Sequence, residues 1–289
     1  MEMISNEFLN VSIRKTGAEL TSIFHNRHQL EYMWQADPVF WAKHSPLLFP
    51  IVGTLRNNAY NFNGRNYTLP RHGFARDLDF QVESIKETEA VYLLRSSNQT
   101  IINYPFEFEL RVYYSLHQES LRVGYTVKNL SSDIMYFSIG AHPAFRLPLI
   151  PGTVYEDYYL EFDTAETVDR WPITADGLIS VQPKEFLKKQ PFLPLTPSLF
   201  HQDAIVLKHM KSEKISICSD KTDRRITMDF KGFPYYGIWA AKNAPFICLE
   251  PWCGIADSEN SSGKLNEKEG IIFLNPDEIF ERSWKVTCN

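Results

Sequence analysis

Two ionisable side chains stand where apolar strands are predicted to end, a placement suited to acid–base chemistry. His142 follows a predicted buried strand over residues 134–140, and Pro143 restricts it to extended backbone conformations. Glu250 closes a second apolar stretch and precedes Pro251. Apolar surroundings raise the pKa of a carboxyl group, as a general base working near neutrality requires. A structural histidine bonded to a carbonyl and a solvent-facing glutamate remain the simpler alternatives.

Further polar residues that could orient a ligand occur in three other stretches. His72 and Arg76 lie in a motif crowded around a glycine, where Arg76 and Asp77 are also placed to pair only with each other. Arg56 lies at a predicted turn, and Asp203 precedes a short apolar strand. Taken alone, the last two are weak signals.

The composition indicates a globular protein with a small-molecule partner. Of 289 residues, 44% are hydrophobic and 14% aromatic, which is enough for a large packed core. No linker divides the chain, so we expect a single domain over residues 1–289. The net charge of -5, with Lys and Arg scattered, argues against a nucleic-acid or membrane partner. Nothing in the sequence decides the oligomeric state.

The cysteines and the first residues favour a cytoplasmic protein. The four cysteines form no CxxC pair and no dense framework, which suits reduced thiols. Residues 1–7 lack the basic segment and apolar core of a secretion signal, and no apolar run approaches the length of a membrane span. We therefore expect a cytoplasmic location.

Alternation with a period of two predicts strands along most of the chain. The clearest case is a hairpin over residues 108–114 and 121–127, and turn residues at 61–67 predict another. Residues 151–203 carry six prolines and short apolar stretches, so we expect irregular excursions there. Helical periodicity is almost absent, which predicts an all-β fold, a large antiparallel sandwich.

Several of these motifs occur together, in the same order, in one known family. They are FPIVG at 49–53, HGFAR at 72–76, GAHPAF at 140–145, Asp203, and EPWCG at 250–254. This combination resembles the aldose 1-epimerase (galactose mutarotase) family and, within it, the branch of lactose-operon X proteins. The resemblance runs from about residue 5 to residue 287.

The resemblance implies a fold and a reaction. The fold is a galactose-mutarotase-like β-supersandwich of antiparallel sheets with few short helices, and the reaction interconverts the α and β anomers of an aldose. In that family the glutamate matching Glu250 takes the proton of the O1 hydroxyl, and the histidine matching His142 protonates the ring oxygen O5. The ring opens, the C1–C2 bond rotates and the ring closes again. No metal and no organic cofactor are implied.

The resemblance also assigns substrate-binding roles. His72 would hydrogen-bond the sugar near its ring oxygen, Asp203 would accept hydrogen bonds from hydroxyls, and Arg76 would orient the substrate. Many relatives carry an arginine where this chain has Thr54, and Arg56 is the candidate to replace it.

One aromatic residue and the identity of the sugar stay open. Trp239, on a predicted strand, could stack on an apolar sugar face or simply pack in the core. The substrate is expected to be an aldose, either free or phosphorylated, because phosphosugar-binding relatives use arginines and this chain offers Arg56, Arg71 and Arg76.

Three other functions compete with the epimerase hypothesis. His72, His142 and Glu250 could form a two-histidine, one-carboxylate iron site. Cys253 with His142 could form a thiol nucleophile, although nothing marks that cysteine as activated. A catalytically silent carbohydrate-binding module on the same fold is the third alternative.

Overall fold

Antiparallel strands account for most of the ordered structure in the computed structural model, which describes all residues from 1 to 289. The strands are β1 Glu2–Ser5, β2 Leu9–Arg14, β3 Glu19–His25, β4 Leu30–Glu31, β5 Leu47–Leu48, β6 Ala59–Phe62, β7 Arg65–Thr68, β8 Gln81–Ile85, β9 Glu89–Arg95, β10 Phe108–His117, β11 Ser120–Asn129, β12 Met135–Phe137, β13 Ile139–Ala141, β14 Ala144–Arg146, β15 Tyr158–Arg170, β16 Lys184–Pro194, β17 Ile205–Lys208, β18 Lys214–Ser219, β19 Thr222–Asp229, β20 Tyr235–Trp239, β21 Phe246–Cys253, β22 Ile272–Leu274 and β23 Ile279–Cys288.

Helices are few and short. The only α-helix is α1, Asn98–Asn103, which Ser97 caps by accepting a hydrogen bond from the Thr100 N–H. Single 3-10 turns occur at Arg56–Asn58, Ala75–Asp77, Tyr155–Asp157, Pro197–Phe200 and Leu265–Glu267. None of these helices has the length and apolar character needed to cross a membrane. The predicted all-β class with few short helices is confirmed.

One fifteen-stranded sheet forms most of the fold. Its strands lie in the order β5-β13-β21-β20-β17-β15-β18-β19-β23-β11-β10-β9-β8, with β14 also paired to β21 and β16 to β15. A four-stranded sheet contains β1 to β4, and two small sheets contain β12 with β22 and β6 with β7. Alternate residues of the long strands point into a shared apolar core, as the pattern of β10 shows.

Both predicted hairpins are present. Strands β10 and β11 pair from Phe108 opposite Asn129 to His117 opposite Ser120. Between β6 and β7 the two turn residues, Asn63 and Gly64, both have positive φ values, 50° and 76°. Asn and Gly are the residues that adopt this conformation at least cost, which is why the sequence signal was readable.

The expectation of irregular structure over residues 151–203 was wrong. This region holds β15 and β16, which pair with each other and are 13 and 11 residues long. They are the two longest strands of the main sheet. Tyr158, Leu160 and Phe162 of β15 are buried in the core. The prolines misled the prediction because two of them, Pro191 and Pro194, lie on β16, which pairs only with β15, and an edge strand tolerates proline.

The predicted strand over residues 134–140 is two strands in different sheets. It divides at Ser138, whose N–H leaves the ladder and donates to the carbonyl of Pro50 at 2.7 Å. Before this point β12 pairs with β22, and after it β13 pairs with β5 and β21. Apolar alternation cannot reveal such a change of sheet, because residues on both sides of it are buried.

Glu250 lies inside a strand, not at its end as the sequence suggested. Strand β21 continues through Pro251, which pairs with Tyr236, and ends at Cys253. On the opposite side of β21, Cys253 and Trp252 pair with β13, and the residues from Cys248 to Phe246 pair with β14. The ladder is interrupted between Trp252 and Cys248. A proline beside such an interruption costs the sheet little.

Two glycines make room for the indole of Trp252. A Cβ atom on Gly237 would lie 2.4 Å from this ring, and one on Gly140 would lie 2.6 Å from it. The space beside Gly140 is therefore filled by the Trp252 ring. Both glycines lie on strands that pair with β21, so they set how closely its neighbours approach.

We predict that Gly237→Ala lowers the free energy of unfolding by about 1–3 kcal/mol, because the added methyl group overlaps a ring held between strands. Urea denaturation followed by tryptophan fluorescence measures the change. Gly124→Ala is the matched control, since Gly124 also lies in a strand but its added Cβ would meet nothing closer than 3.7 Å. Equal stability of the two variants would contradict this packing account.

Candidate active site

The pairing of β21 with its neighbours aligns His142 with Glu250. Gly140 lies opposite Trp252 on β13, and Ala144 lies opposite Cys248 on β14. The two pairs belong to the same antiparallel register, since an advance from Gly140 to Ala144 is matched by an equal step backwards along β21 from Trp252 to Cys248. Continuing this register through the interruption sets residue 142 against residue 250.

The two side chains meet in a buried position. His142 Nε2 lies 3.3 Å from Glu250 Oε2. His142 is 8% exposed and Glu250 is 2% exposed. The imidazole is stacked on Trp41, with ring centroids 4.9 Å apart, and meets the edge of Trp239 at 5.6 Å. A carboxyl group and an imidazole are thus held together in surroundings that exclude most water.

His72 is placed by a strained loop beside this pair. Its φ is +69°, and the next residue, Gly73, has φ +71° and sits so close to Phe49 that a Cβ would lie 2.3 Å from that carbonyl oxygen. The His72 ring centroid is 5.8 Å from that of His142, and the rings are nearly perpendicular. Only glycine fits at position 73, so the loop geometry that aims His72 depends on it.

The hydrogen bonds of His72 define its neutral tautomer. The backbone N–H of Gly53 approaches Nδ1 at 3.1 Å, and the Arg71 Nε approaches Nε2 at 3.3 Å. A neutral imidazole has one bare nitrogen, so only one of these contacts is a hydrogen bond. We assign it to Gly53, whose buried N–H has no other acceptor. Nε2 then carries the proton and is a hydrogen-bond donor.

A cavity of about 530 Å³ opens in front of these three residues. That volume lies in the range of roughly 300–1,000 Å³ typical of small-molecule sites. Its aromatic and polar lining residues are Trp41, Arg71, His72, Arg76, His142, Phe200, Asp203, Trp239, Lys242, Glu250 and Trp252. Mixed aromatic and hydrogen-bonding walls suit a ligand with both apolar faces and hydroxyl groups.

Asp203 and two arginines form one side of the cavity. Asp203 has φ +88°, and its Oδ1 accepts a hydrogen bond from the Ala204 N–H at 2.7 Å. Arg71 Nη2 lies 3.8 Å from the same carboxylate oxygen. Arg76 Nη2 donates to the carbonyl oxygen of Arg71 at 2.8 Å, so it supports the backbone that carries Arg71.

The structure does not bring Arg56 to this cavity. Its guanidinium donates to the carbonyl oxygen of Ser261, and its backbone N–H donates to Asp257 Oδ2, both at 2.9 Å. Thr54, the residue whose expected arginine role Arg56 was to take over, is buried beneath Gly177. A Cβ on Gly177 would lie 2.7 Å from the Thr54 hydroxyl. The small side chain of Thr54 therefore lets the loop that carries Gly177 close over this position.

Several lining residues escaped sequence reasoning. Trp41 and Lys242 line the cavity, but neither lies in a sequence motif that points to a ligand. Ile173 and Ile179 reach the cavity from a turn in the region expected to be irregular. Gly177, which indicates a tight turn, was the only sequence signal that could have predicted this part of the cavity wall.

Burial sets the protonation of the central pair. It raises the pKa of Glu250 well above its ordinary value of 4.5; Arg71 opposes this shift and Asp203 adds to it. Burial also lowers the pKa of His142 from 6.5 to about 3, and the nearby arginines act in the same direction. The preferred state of the free pair is therefore a protonated carboxyl group and a neutral imidazole, which together hold one proton.

The donor atoms of the proposed iron triad do not converge as expected. The one group of three metal-binding donors within 4.8 Å of one another contains His142, Glu250 and Cys248, and His72 lies outside it. Cys253 does not line the cavity, and burial raises the pKa of its thiol to about 11. A thiolate nucleophile at Cys253 is therefore disfavoured.

Comparison with known proteins identifies similar sequences and structures. The family model described as aldose 1-epimerase matches residues 2–285. The chromosomal Protein LacX of Lactococcus lactis subsp. lactis is 38% identical over 295 residues, which cover 98% of each chain. Two solved structures, described as a galactose mutarotase related enzyme from Lactobacillus acidophilus and a galactose mutarotase-like protein from Lactobacillus casei, are also similar.

The structural similarity extends over the entire chain. The Lactobacillus acidophilus structure has a TM-score of 0.96 and 34% identity, covering 100% of this chain and 97% of its own. The Lactobacillus casei structure has a TM-score of 0.94 and 31% identity, with 100% of both chains covered. The galactose-mutarotase-like fold predicted from the motifs is confirmed.

The shared proton predicts opposite pH dependence of stability in two single variants. In Glu250→Gln the buried His142 remains neutral while the unfolded chain protonates it below pH 6.5, so the free energy of unfolding falls as the pH falls. In His142→Asn the buried Glu250 remains protonated while the unfolded chain ionises it above pH 4.5, so the free energy of unfolding falls as the pH rises.

Urea denaturation at pH 5 and pH 6 measures both slopes relative to wild type, where the two effects cancel. Each variant should differ from wild type by up to about 1.4 kcal/mol per pH unit, with opposite signs. Parallel pH profiles for all three proteins would show that the pair is not held with a single proton.

Proposed function

The chain belongs to the aldose 1-epimerase family, and from this membership we propose that it interconverts the α and β anomers of an aldose, with Glu250 and His142 as the proton-transfer groups. The observation that carries the proposal is the buried contact of 3.3 Å between a base and an acid at the floor of a sugar-sized cavity. The relatives described as galactose mutarotase related or mutarotase-like support the same reaction class.

The proposed reaction moves two protons and breaks one bond. Glu250 takes the proton of the O1 hydroxyl, the electrons of that O–H bond form the C1=O1 double bond, and the C1–O5 bond breaks. His142, as imidazolium, gives its proton to O5. After rotation about C1–C2, O5 attacks the other face of C1, His142 recovers its proton and Glu250 returns one to O1. No atom is gained or lost.

One proton shared by the pair suits a reversible reaction of this kind. The reacting state, with imidazolium and carboxylate, has the same net charge as the neutral pair that burial favours, so it requires only a transfer across the contact. The neutral pair is also the state that accompanies the open-chain sugar. Positioned groups of this kind each contribute about 10²- to 10⁴-fold to a rate.

The surrounding residues have roles that follow from their donors and acceptors. His72 would donate from Nε2 to a sugar oxygen, since Nδ1 is occupied by Gly53. Asp203 would accept hydrogen bonds from hydroxyl groups, and Arg76 would hold this side of the cavity in place. Trp239 would contact an apolar face of the ring, because it lines the cavity beside the imidazole.

The charge of the cavity extends the proposal to phosphorylated aldoses. Arg71, Arg76 and Lys242 line it, and Asp203 is the single carboxylate there besides the buried Glu250. Arg71 is half exposed and 3.8 Å from that carboxylate, which leaves its guanidinium accessible to an anionic substituent. A substrate panel should therefore contain free aldoses and their phosphate esters.

We predict that Glu250→Gln and His142→Asn each lower kcat for anomer exchange by more than about a hundredfold, because each removes one proton-transfer group. Polarimetry for free sugars and NMR exchange spectroscopy for the full panel measure the rates. Cys253→Ala is the control, since this residue lies on the same strand outside the cavity and should leave kcat unchanged.

Two outcomes would overturn different parts of this proposal. If wild type accelerates no member of the panel over buffer but still binds sugars, the chain is a carbohydrate-binding module and not an enzyme. If wild type is active and both variants match it, the reaction stands but the assignment of Glu250 and His142 fails.

A further inference from the structure

A buried thiol, that of Cys248, lies beside the proton-transfer pair. Cys248 precedes Glu250 by two residues on β21, so both side chains point to the same face of the sheet. The thiol is fully buried and is absent from the cavity lining. The proposed reaction gives it no role.

The donors of these residues converge. One atom each of His142, Cys248 and Glu250 lies within 4.8 Å of the other two, and the His142 to Glu250 contact is already 3.3 Å. Ligands of one tetrahedral zinc ion lie roughly 3.3–3.8 Å apart, as bonds of about 2.0–2.3 Å require. A small movement of the thiol toward the other two donors would complete a three-ligand site.

The ligand types select the ion. Thiolate, imidazole and carboxylate together suit Zn²⁺ and its heavier congener Cd²⁺, whereas Mg²⁺ and Ca²⁺ prefer oxygen ligands alone. His142 and Glu250 line the cavity, so an ion could enter from there and keep its fourth position open to water.

We propose that His142, Cys248 and Glu250 form an inhibitory site for a thiophilic divalent cation, with Zn²⁺ as its natural representative. Coordination releases two protons to solvent, that of the thiol and the one that His142 and Glu250 share, and forms a metal–sulfur bond without any change of oxidation state. The ion occupies both proton-transfer groups at once, so a metal-bound chain cannot open the sugar ring.

The site is built for reversible occupation. Metal-binding histidines usually donate their second N–H to an acceptor, and loss of that partner costs about 10- to 100-fold in affinity. His142 Nδ1 is buried with no hydrogen-bond partner. The ion is therefore held less tightly than a structural zinc, as an inhibitor that responds to metal concentration must be.

The test titrates Zn²⁺ and Cd²⁺ separately into chelator-treated full-length protein. Calorimetry should give one Zn²⁺ site in wild type, and Cd²⁺ should produce the ultraviolet charge-transfer absorption of a cadmium–thiolate bond. Cys248→Ala should weaken Zn²⁺ binding by at least about tenfold and abolish that absorption. Cys248→Ser, which preserves volume, should behave alike, and circular dichroism at the same temperature verifies that both variants are folded.

Cys253→Ala is the matched control and should retain the affinity and the absorption of wild type. The measurements of Zn²⁺ and Cd²⁺ binding do not depend on the proposed function. One further measurement rests on it: Zn²⁺ should inhibit anomer exchange less in Cys248→Ala than in wild type. The proposal is overturned if wild type binds no Zn²⁺, if both Cys248 variants keep wild-type affinity, or if the Cd²⁺–thiolate absorption survives without Cys248.

Discussion

The interruption of one β-ladder is the constraint on which the rest of the site depends. Strand β21 is bordered by β13 and then β14 in a single register, and its pairing with them is interrupted only at residues 141–143. His142 lines the cavity at this interruption, and it faces Glu250 because the register resumes unchanged. An error of one residue would turn the glutamate to the other face of the sheet.

The electrostatic cost of burying charged groups explains why His142 and Glu250 share one proton and are enclosed by aromatic rings. Two ionisable side chains buried at 8% and 2% exposure are costly unless their charges cancel. Sharing a single proton keeps the pair neutral overall, so the fold bears little of the desolvation penalty of separate charges. Stacked and perpendicular contacts with Trp41 and Trp239 keep water away and fix the ring without supplying a competing hydrogen bond.

Much of the fold could be predicted because its signals are local. The hairpin of β10 and β11 shows strict alternation, and the turn at Asn63 and Gly64 needs residues that tolerate positive φ. The split at Ser138 and the long strands at 158–170 and 184–194 could not be predicted. They depend on which distant strand provides the partner, which a period-two pattern does not specify.

The candidate site was predictable to the same degree. His72, His142, Asp203 and Glu250 lie in recognisable motifs, and the fold brings all four to one cavity. Arg56 was misplaced in the cavity because spacing along the chain does not reveal that the 3-10 turn at Arg56–Asn58 directs its side chain toward Ser261. Trp41 and Lys242 line the cavity only because of tertiary packing, so no local sequence pattern predicts them.

A crystal structure of the chain with a bound aldose that it turns over would test the central claim most directly. The account predicts the ring oxygen O5 within about 3 Å of His142 Nε2 and the anomeric O1 within about 3 Å of a Glu250 carboxylate oxygen, with the sugar in the cavity in front of both side chains. A sugar bound in the same cavity with its anomeric carbon directed away from both residues would contradict it.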